Sequence, residues 1–171
     1  KSNEKLSTIK SVLDFGESFT SIDNYSQIVA SEYNLNKAHK SLKGWCSWYF
    51  HYESVTQDNI LDCLRMVDKH ELSIDAVLID MGWEQRLGDW YANYKFPDGM
   101  KYISDEIHKR NLKAGLWVSP FWIEPRSHVH REHPEWLLKD LEGNNIIFTC
   151  HIDGYVIDTT IPEACDWIST Q

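Results

Sequence analysis

At 171 residues the chain is long enough for one domain with a real core, since a chain of about 150 residues buries roughly two thirds of its unfolded surface; extended disorder is not expected. A formal net charge of −9 argues against a nucleic-acid partner, which calls for clustered Lys and Arg, and no stretch approaches the run of about 20 apolar residues that would span a membrane. Cys46, Cys63, Cys150 and Cys165 lack the paired spacing of zinc or dithiol redox sites, so reduced thiols in a cytoplasm are expected, with an exported protein carrying one disulfide left open.

Residues 1–40 are polar, with weak apolar periodicity at Ile9, Val12, Leu13 and Phe15 and again at Ile28, Val29 and Tyr33. They read as a strand or loop and a short helix, a linker or the edge of a preceding domain. Lys1 in place of an initiator Met, no apolar signal-peptide core, and an abrupt end at Gln171 suggest a piece of something longer. From Gly44 the pattern is regular. Gly44 to Phe50 reads as an aromatic strand, and Ser54 with Gln57 as a capping box. A helix over about 56–69 follows, burying Ile60, Leu61, Leu64 and Val67 at three- and four-residue spacing. Ile74 to Asp80 is a nearly continuous apolar run, as in a strand covered on both faces. A loop with Gly88-Asp89-Trp90 and Lys95-Phe96-Pro97-Asp98-Gly99 leads to a helix from Met100 to Arg110, with Met100, Ile103 and Ile107 inward. A strand follows from Leu112 to Pro120. After a long loop come Glu135-Trp136-Leu137-Leu138, a short strand from Tyr155 to Asp158, and a helix opened by Pro162. A strand spacing of about 35 residues is that of βαβ units and a parallel sheet. A closed eight-unit barrel takes about 250 residues, so residues 41–171 supply about the first half of a (β/α)8 TIM barrel, an α/β fold.

In such a fold the loops at the carboxyl ends of the strands meet on one face. Asp80 and Trp117 end two of the expected strands there, and Trp48 should reach the same face. Eight tryptophans, several beside Gly, Asp or Ser, suit a carbohydrate site, because indole faces stack on pyranose C–H faces while carboxylates take the hydroxyls; simple core filling is the alternative for about half of them.

These motifs together resemble the α-galactosidase-like glycoside hydrolases, family 36 and its clan relatives. The resemblance runs from Gly44 to the end. It rests on Gly44-Trp45-Cys46-Ser47-Trp48, Ile79-Asp80-Met81-Gly82-Trp83, Gly88-Asp89-Trp90, Lys95-Phe96-Pro97-Asp98-Gly99-Met100, Gly115-Leu116-Trp117, Arg131-Glu132-His133-Pro134-Glu135-Trp136 and Ile157-Asp158-Thr159-Thr160-Ile161-Pro162-Glu163, in that order. It implies that Trp48 stacks on the sugar in the first subsite and that Asp80 binds hydroxyls of the same ring. Asp89 and Trp90 become a further wall of the pocket, and Trp117 another ring contact. The structural alternatives are core filling for Trp48, loop capping for Asp80, turn capping for Asp89 and packing for Trp117. The family's second aspartate is Met81 here, and a thioether is a weak acceptor, so galactose is the family default with glucose, another hexose, or transfer in place of hydrolysis left open. A retaining enzyme of this kind needs two carboxylates about 5–5.5 Å apart and no cofactor or metal. The resemblance puts that pair downstream of Gln171, so this chain by itself is expected to be inactive. Glu124 and Asp158 lack the family's context for the nucleophile.

His128, His130 and His133 raise a zinc site, but a solvated loop before a helix is the preferred reading and no metal is expected. A noncatalytic carbohydrate-binding module is the rival from a different class, since it needs the aromatic pocket but no carboxylate pair. An oligosaccharide is the expected partner. An unpaired sheet edge should make the piece associate with itself or with its missing half-barrel.

Overall fold

A computed structural model describes residues 14–35, 41–150 and 152–170, which fall into two compact units, residues 1–41 and 42–171. In the first, helix α1 (Ser18–Glu32) carries Phe19, Ile22 and Tyr25 exposed. Before it, the Asp14 carboxylate accepts from the Gly16 amide at 2.7 Å and from Asn24 Nδ2 at 2.9 Å. The expected strand or loop over Ile9, Val12 and Leu13 lies outside the described residues.

The second unit is α/β. Its elements begin with β1 (Gly44–Cys46), α2 (Trp48–His51), α3 (Gln57–Lys69) and β2 (Ala76–Ile79). A hairpin of β3 (Glu84–Arg86) and β4 (Asp89–Ala92) precedes α4 (Gly99–His108) and β5 (Lys113–Leu116). Strands β1, β2 and β5 form a parallel sheet in that order, with Trp45 opposite Val77 and Val77 opposite Ala114. The crossovers run through α3 and α4, as parallel neighbours require. Ile60, Leu64 and Val67 of α3 and Ile103 and Ile107 of α4 are buried with Val77, Ile79, Trp83 and Phe96 in one core. Helix α3 starts where it does because Thr56 Oγ1 accepts from the Asn59 amide at 3.2 Å while Asn59 Oδ1 accepts from the Thr56 amide at 3.0 Å.

Several sequence expectations are corrected. The capping box is Thr56 with Asn59, not Ser54 with Gln57; the Ser54 hydroxyl donates to the His51 carbonyl. The first strand stops at Cys46 rather than Phe50, because the amides of Phe50 and His51 turn back onto the Ser47 carbonyl and open α2. Gly88-Asp89-Trp90 lies in a hairpin rather than a loop: Gly88 takes φ +93° in its turn and packs so closely on Ile123 that a Cβ would not fit.

The strand expected at Tyr155–Asp158 does not continue the parallel series. Beyond β6 (Trp122–Ile123), α5 (His128–Glu132) and β7 (Ile147–Thr149), strand β8 (Asp153–Val156) pairs antiparallel with both β6 and β7. The short α5 is too small for a crossover. Gly154, lacking a side chain, leaves the space filled by the Trp122 indole. Ile123, Val129, Trp136, Leu137, Ile157 and Ala164 form a second core that also seats α6 (Pro162–Thr170).

Candidate functional site

Three of the five candidate residues converge where the parallel strands end. Ser47, fully buried just past β1, donates its amide to the Leu78 carbonyl at 3.1 Å and accepts the Asp80 amide on Oγ at 2.9 Å. This pair of bonds ties the residue before Trp48 to Leu78 within β2 and to Asp80 just beyond it. Trp117 donates its amide to the Ile79 carbonyl at 2.8 Å, and the buried Trp83 indole donates to the Trp117 carbonyl at 2.8 Å, which fixes the chain beyond β5 against the same strand end. The parallel register thus brings Trp48, Asp80 and Trp117 to one edge of the sheet.

Asp80 is half-buried and its carboxylate is oriented from two sides. Oδ1 accepts from the Met81 amide at 2.8 Å and Oδ2 from the Cys46 thiol at 3.4 Å. Burial pushes the Cys46 thiol up; the Trp48 backbone opposes this and Asp80 adds to it. A protonated thiol is the form that can donate to a carboxylate. Carboxylate oxygens have about four lone-pair sites, so Asp80 keeps acceptor capacity for hydroxyls. Met81, at the second aspartate position, is only 4 % exposed and packs into the protein. Cys46, Cys63, Cys150 and Cys165 are all free, and burial pushes the Cys63 thiol up to about 11.

The loop after β2 is held by groups that sequence reasoning did not single out. Gly82 takes φ +112°, and its amide donates to the buried Glu84 carboxylate at 3.0 Å. Asn93 Nδ2 bridges the Gly82 and Glu84 carbonyls, both at 2.9 Å, and Asn93 Oδ1 accepts the Lys95 amide at 2.9 Å. The Lys95 ammonium donates to the Glu53 carbonyl. Burial holds the Glu84 carboxyl above the ordinary carboxylate range, with the backbone amides and Lys95 opposing. Burial pushes Lys95 down in turn, against Glu84 and Glu53.

A carboxyl whose folded pKa exceeds its unfolded value of about 4.5 binds its proton more tightly in the folded state. Its contribution to stability is full below that value and declines as pH rises through the folded pKa. Glu84→Gln keeps an acceptor for Gly82 without the charge. We expect the melting temperature of the variant to gain on wild type as pH is raised from about 4 to about 7, and thermal scans across that range that ran parallel would contradict this role.

Asp89 and Trp90 go elsewhere. Asp89 is 5 % exposed, and its Oδ1 accepts the His128 amide at 2.7 Å, so its carboxylate serves the first residue of α5. Trp90 packs on the first core and stacks on Trp167 of α6, ring centroids 5.0 Å apart at 27°. Glu124 is paired with Arg86 at 3.0 Å, and Asp158 accepts from the Thr160 hydroxyl at 2.6 Å and amide at 2.9 Å. The three histidines face three different partners. His128 meets Glu132 at 3.0 Å, His130 lies on the Tyr155 ring at 5.0 Å, and His133 lies on Trp136 at 3.7 Å. Among the described residues no cluster of three or more His, Cys, Asp or Glu is arranged to hold a metal, and no helix is long and apolar enough to cross a membrane.

Comparison with known proteins decides the family, because the melibiase family model matches residues 10–171. The chain belongs to the melibiase family. One melibiase relative, the α-galactosidase AgaA of Geobacillus stearothermophilus, is 29% identical over 140 residues, 74% of this chain and 17% of the relative. α-Galactosidase 2 of Pediococcus pentosaceus is 33% identical over 85 residues, 45% of this chain and 12% of the relative.

Among solved structures, TtGalA, the α-galactosidase from Thermus thermophilus in complex with p-nitrophenyl α-D-galactopyranoside, superposes with a TM-score of 0.69 at 33% identity. The match covers 78% of this chain and 28% of TtGalA. A variant of the GH36 enzyme AgaA in complex with raffinose gives a TM-score of 0.66 at 28% identity, over 76% of this chain and 18% of AgaA. The chain thus spans a minor part of the length of the relatives it matches.

Proposed function

We propose that residues 42–171 contribute the first part of the (β/α)8 catalytic barrel of an α-galactosidase-like glycoside hydrolase that releases a terminal α-linked hexose from oligosaccharides. In this reading Trp48 offers the sugar an aromatic face, Asp80 takes ring hydroxyls and Trp117 adds a flanking contact. The supporting observation is the meeting of Trp48 and Asp80 through Ser47 at adjacent parallel-strand ends.

Double displacement through a covalent glycosyl-enzyme requires two carboxylates facing one anomeric carbon. Glu124 and Asp158 are already occupied by Arg86 and Thr160. Following the family resemblance, we assign the reacting pair to residues outside this chain and expect no hydrolysis by these 171 residues acting alone. The outer edge of β5, which among the described residues pairs only with β2, would be covered by the next barrel strand. With Met81 packed inward in place of a second carboxylate, discrimination between galactose and glucose is expected to rest on Asp80 and to be weak.

Titration of the chain with methyl α-D-galactopyranoside, followed by tryptophan fluorescence, tests the reading. Saturable binding is expected, lowered about tenfold or more by Asp80→Ala, the loss that accompanies a charged hydrogen bond worth about 1.5–3 kcal/mol. No binding, or binding indifferent to Asp80, would overturn it.

A further inference from the structure

The Cys46 thiol touches both segments that the glycosidase reading gives to the first hexose: the Trp48 backbone hydrogen-bonds it, and it donates to Asp80 Oδ2 at 3.4 Å. From this we propose that Cys46 is a positioning residue, a sulfur bridge that sets the plane of the Asp80 carboxylate against the Trp48 segment and so fixes how the two meet one sugar ring. It rests on the glycosidase reading above and extends it to a side chain to which that reading gives no part.

Strand register brings the thiol and the carboxylate together. Cys46 ends β1 opposite Leu78 of β2, and side chains alternate along a strand, so Asp80, two residues beyond Leu78, comes to the face that Cys46 shares. Two other bonds hold Asp80, but neither spans to its carboxylate from a separate strand. Ser47 Oγ accepts the Asp80 amide at 2.9 Å, which fixes backbone, and the Met81 amide donates to Oδ1 at 2.8 Å from the next residue in the chain. A single bond from an adjacent amide leaves a carboxylate free to swing about it. A second bond on the other oxygen, from a residue 34 positions away, holds the plane.

A thiol suits this place. It can accept one weak hydrogen bond while donating another, so it joins an amide on one side to a carboxylate on the other. Because its donation is weak, it orients Asp80 while leaving the carboxylate's acceptor strength to the sugar hydroxyls. Burial pushes the thiol up and keeps it protonated, the donating form, at neutral pH. With Met81 packed inward at the second aspartate position, Asp80 acts singly, and its orientation decides the grip on the ring.

Two measurements test the bridge. In infrared difference spectra, the S–H stretching band that disappears in Cys46→Ala should move to higher frequency in Asp80→Ala, where its acceptor is gone. In titrations with methyl α-D-galactopyranoside, Cys46→Ala should bind about fivefold more weakly than wild type, the size of one neutral hydrogen bond, and Cys46→Ser should restore most of that loss. In the Asp80→Ala background, Cys46→Ala should cost nothing further, because the two residues act as one unit. An S–H band indifferent to Asp80, unchanged affinity in Cys46→Ala, no rescue by Cys46→Ser, or the same fivefold loss without Asp80 would overturn the bridge and leave the glycone reading standing. Failure of wild type to bind the sugar would instead overturn the glycone reading and the positioning role with it.

Discussion

Replacing Gly82 with alanine is expected to destabilise the chain by about 3 kcal/mol or more, seen as a fall of roughly 6–12 °C in melting temperature. Two independent costs meet there. A φ of +112° is open to glycine and strained for alanine, at about 1–3 kcal/mol. In addition, a Cβ at this position would come within 2.8 Å of the Glu53 Cα and run into the Glu53 carbonyl. That carbonyl is backbone in a 3₁₀ turn and already accepts from the Lys95 ammonium, so it has little room to withdraw, and overpacking adds about 1–3 kcal/mol. The same shift would displace Asp80 and Met81, so binding of methyl α-D-galactopyranoside should weaken together with stability. A drop below about 3 °C would show that the loop relaxes freely and that its clamp onto Glu53 is not what fixes the site.

Phe96→Ala is expected to cost about 3–5 kcal/mol in urea unfolding, as full truncation of a buried aromatic does. Phe96 is 2% exposed and lies in the core formed by α3, α4 and the parallel sheet. Its surroundings are stiff. The Gln57 amide donates to the Lys95 carbonyl at 3.0 Å, and the Gln57 side chain exchanges bonds with Asp98, at 2.7 Å to the Asp98 carboxylate and 3.1 Å from its amide. A core held in this way collapses poorly around a cavity, which puts the loss toward the upper end. The Lys95-Phe96-Pro97-Asp98-Gly99 motif thus anchors the start of α4. A loss under about 1 kcal/mol would contradict that account.

Periodicity was enough to read α3 and α4, because each buries a face whose spacing follows directly from helix geometry, while β2 was legible as an apolar run and the last helix from Pro162 at its start. It failed where a tertiary bond overrode local preference. The aromatic run after Gly44 favours a strand, yet Ser47 is drawn into the interior to accept the Asp80 amide and the chain turns into α2. Spacing also suggested a further parallel strand near Tyr155, but spacing does not carry strand direction, and the Trp122 indole against Gly154 belongs to an antiparallel pairing.

The site divides in the same way. That Asp80 and Trp48 come to the same end of the sheet could be expected because strand ends are visible in a sequence. The Cys46 and Ser47 bonds to Asp80 join residues 34 and 33 positions apart. Asn93 and Glu84 act on Gly82 through a hairpin whose turn, Leu87-Gly88, has no strong hairpin signature. Asp89 and Trp90 looked alike in the sequence to Asp80 and Trp117, an acid or an indole within two residues of a glycine. Only the fold sends one pair to the sheet edge and the other to α5 and α6.

What the amino-acid order determined by itself was local: which segments are amphipathic, where caps and turns fall, and which acids and indoles are available. What only tertiary structure decided was which of those groups face one another, since that depends on register and on bonds between residues far apart in the chain, and these are set by the packing of the whole rather than by any window of the sequence.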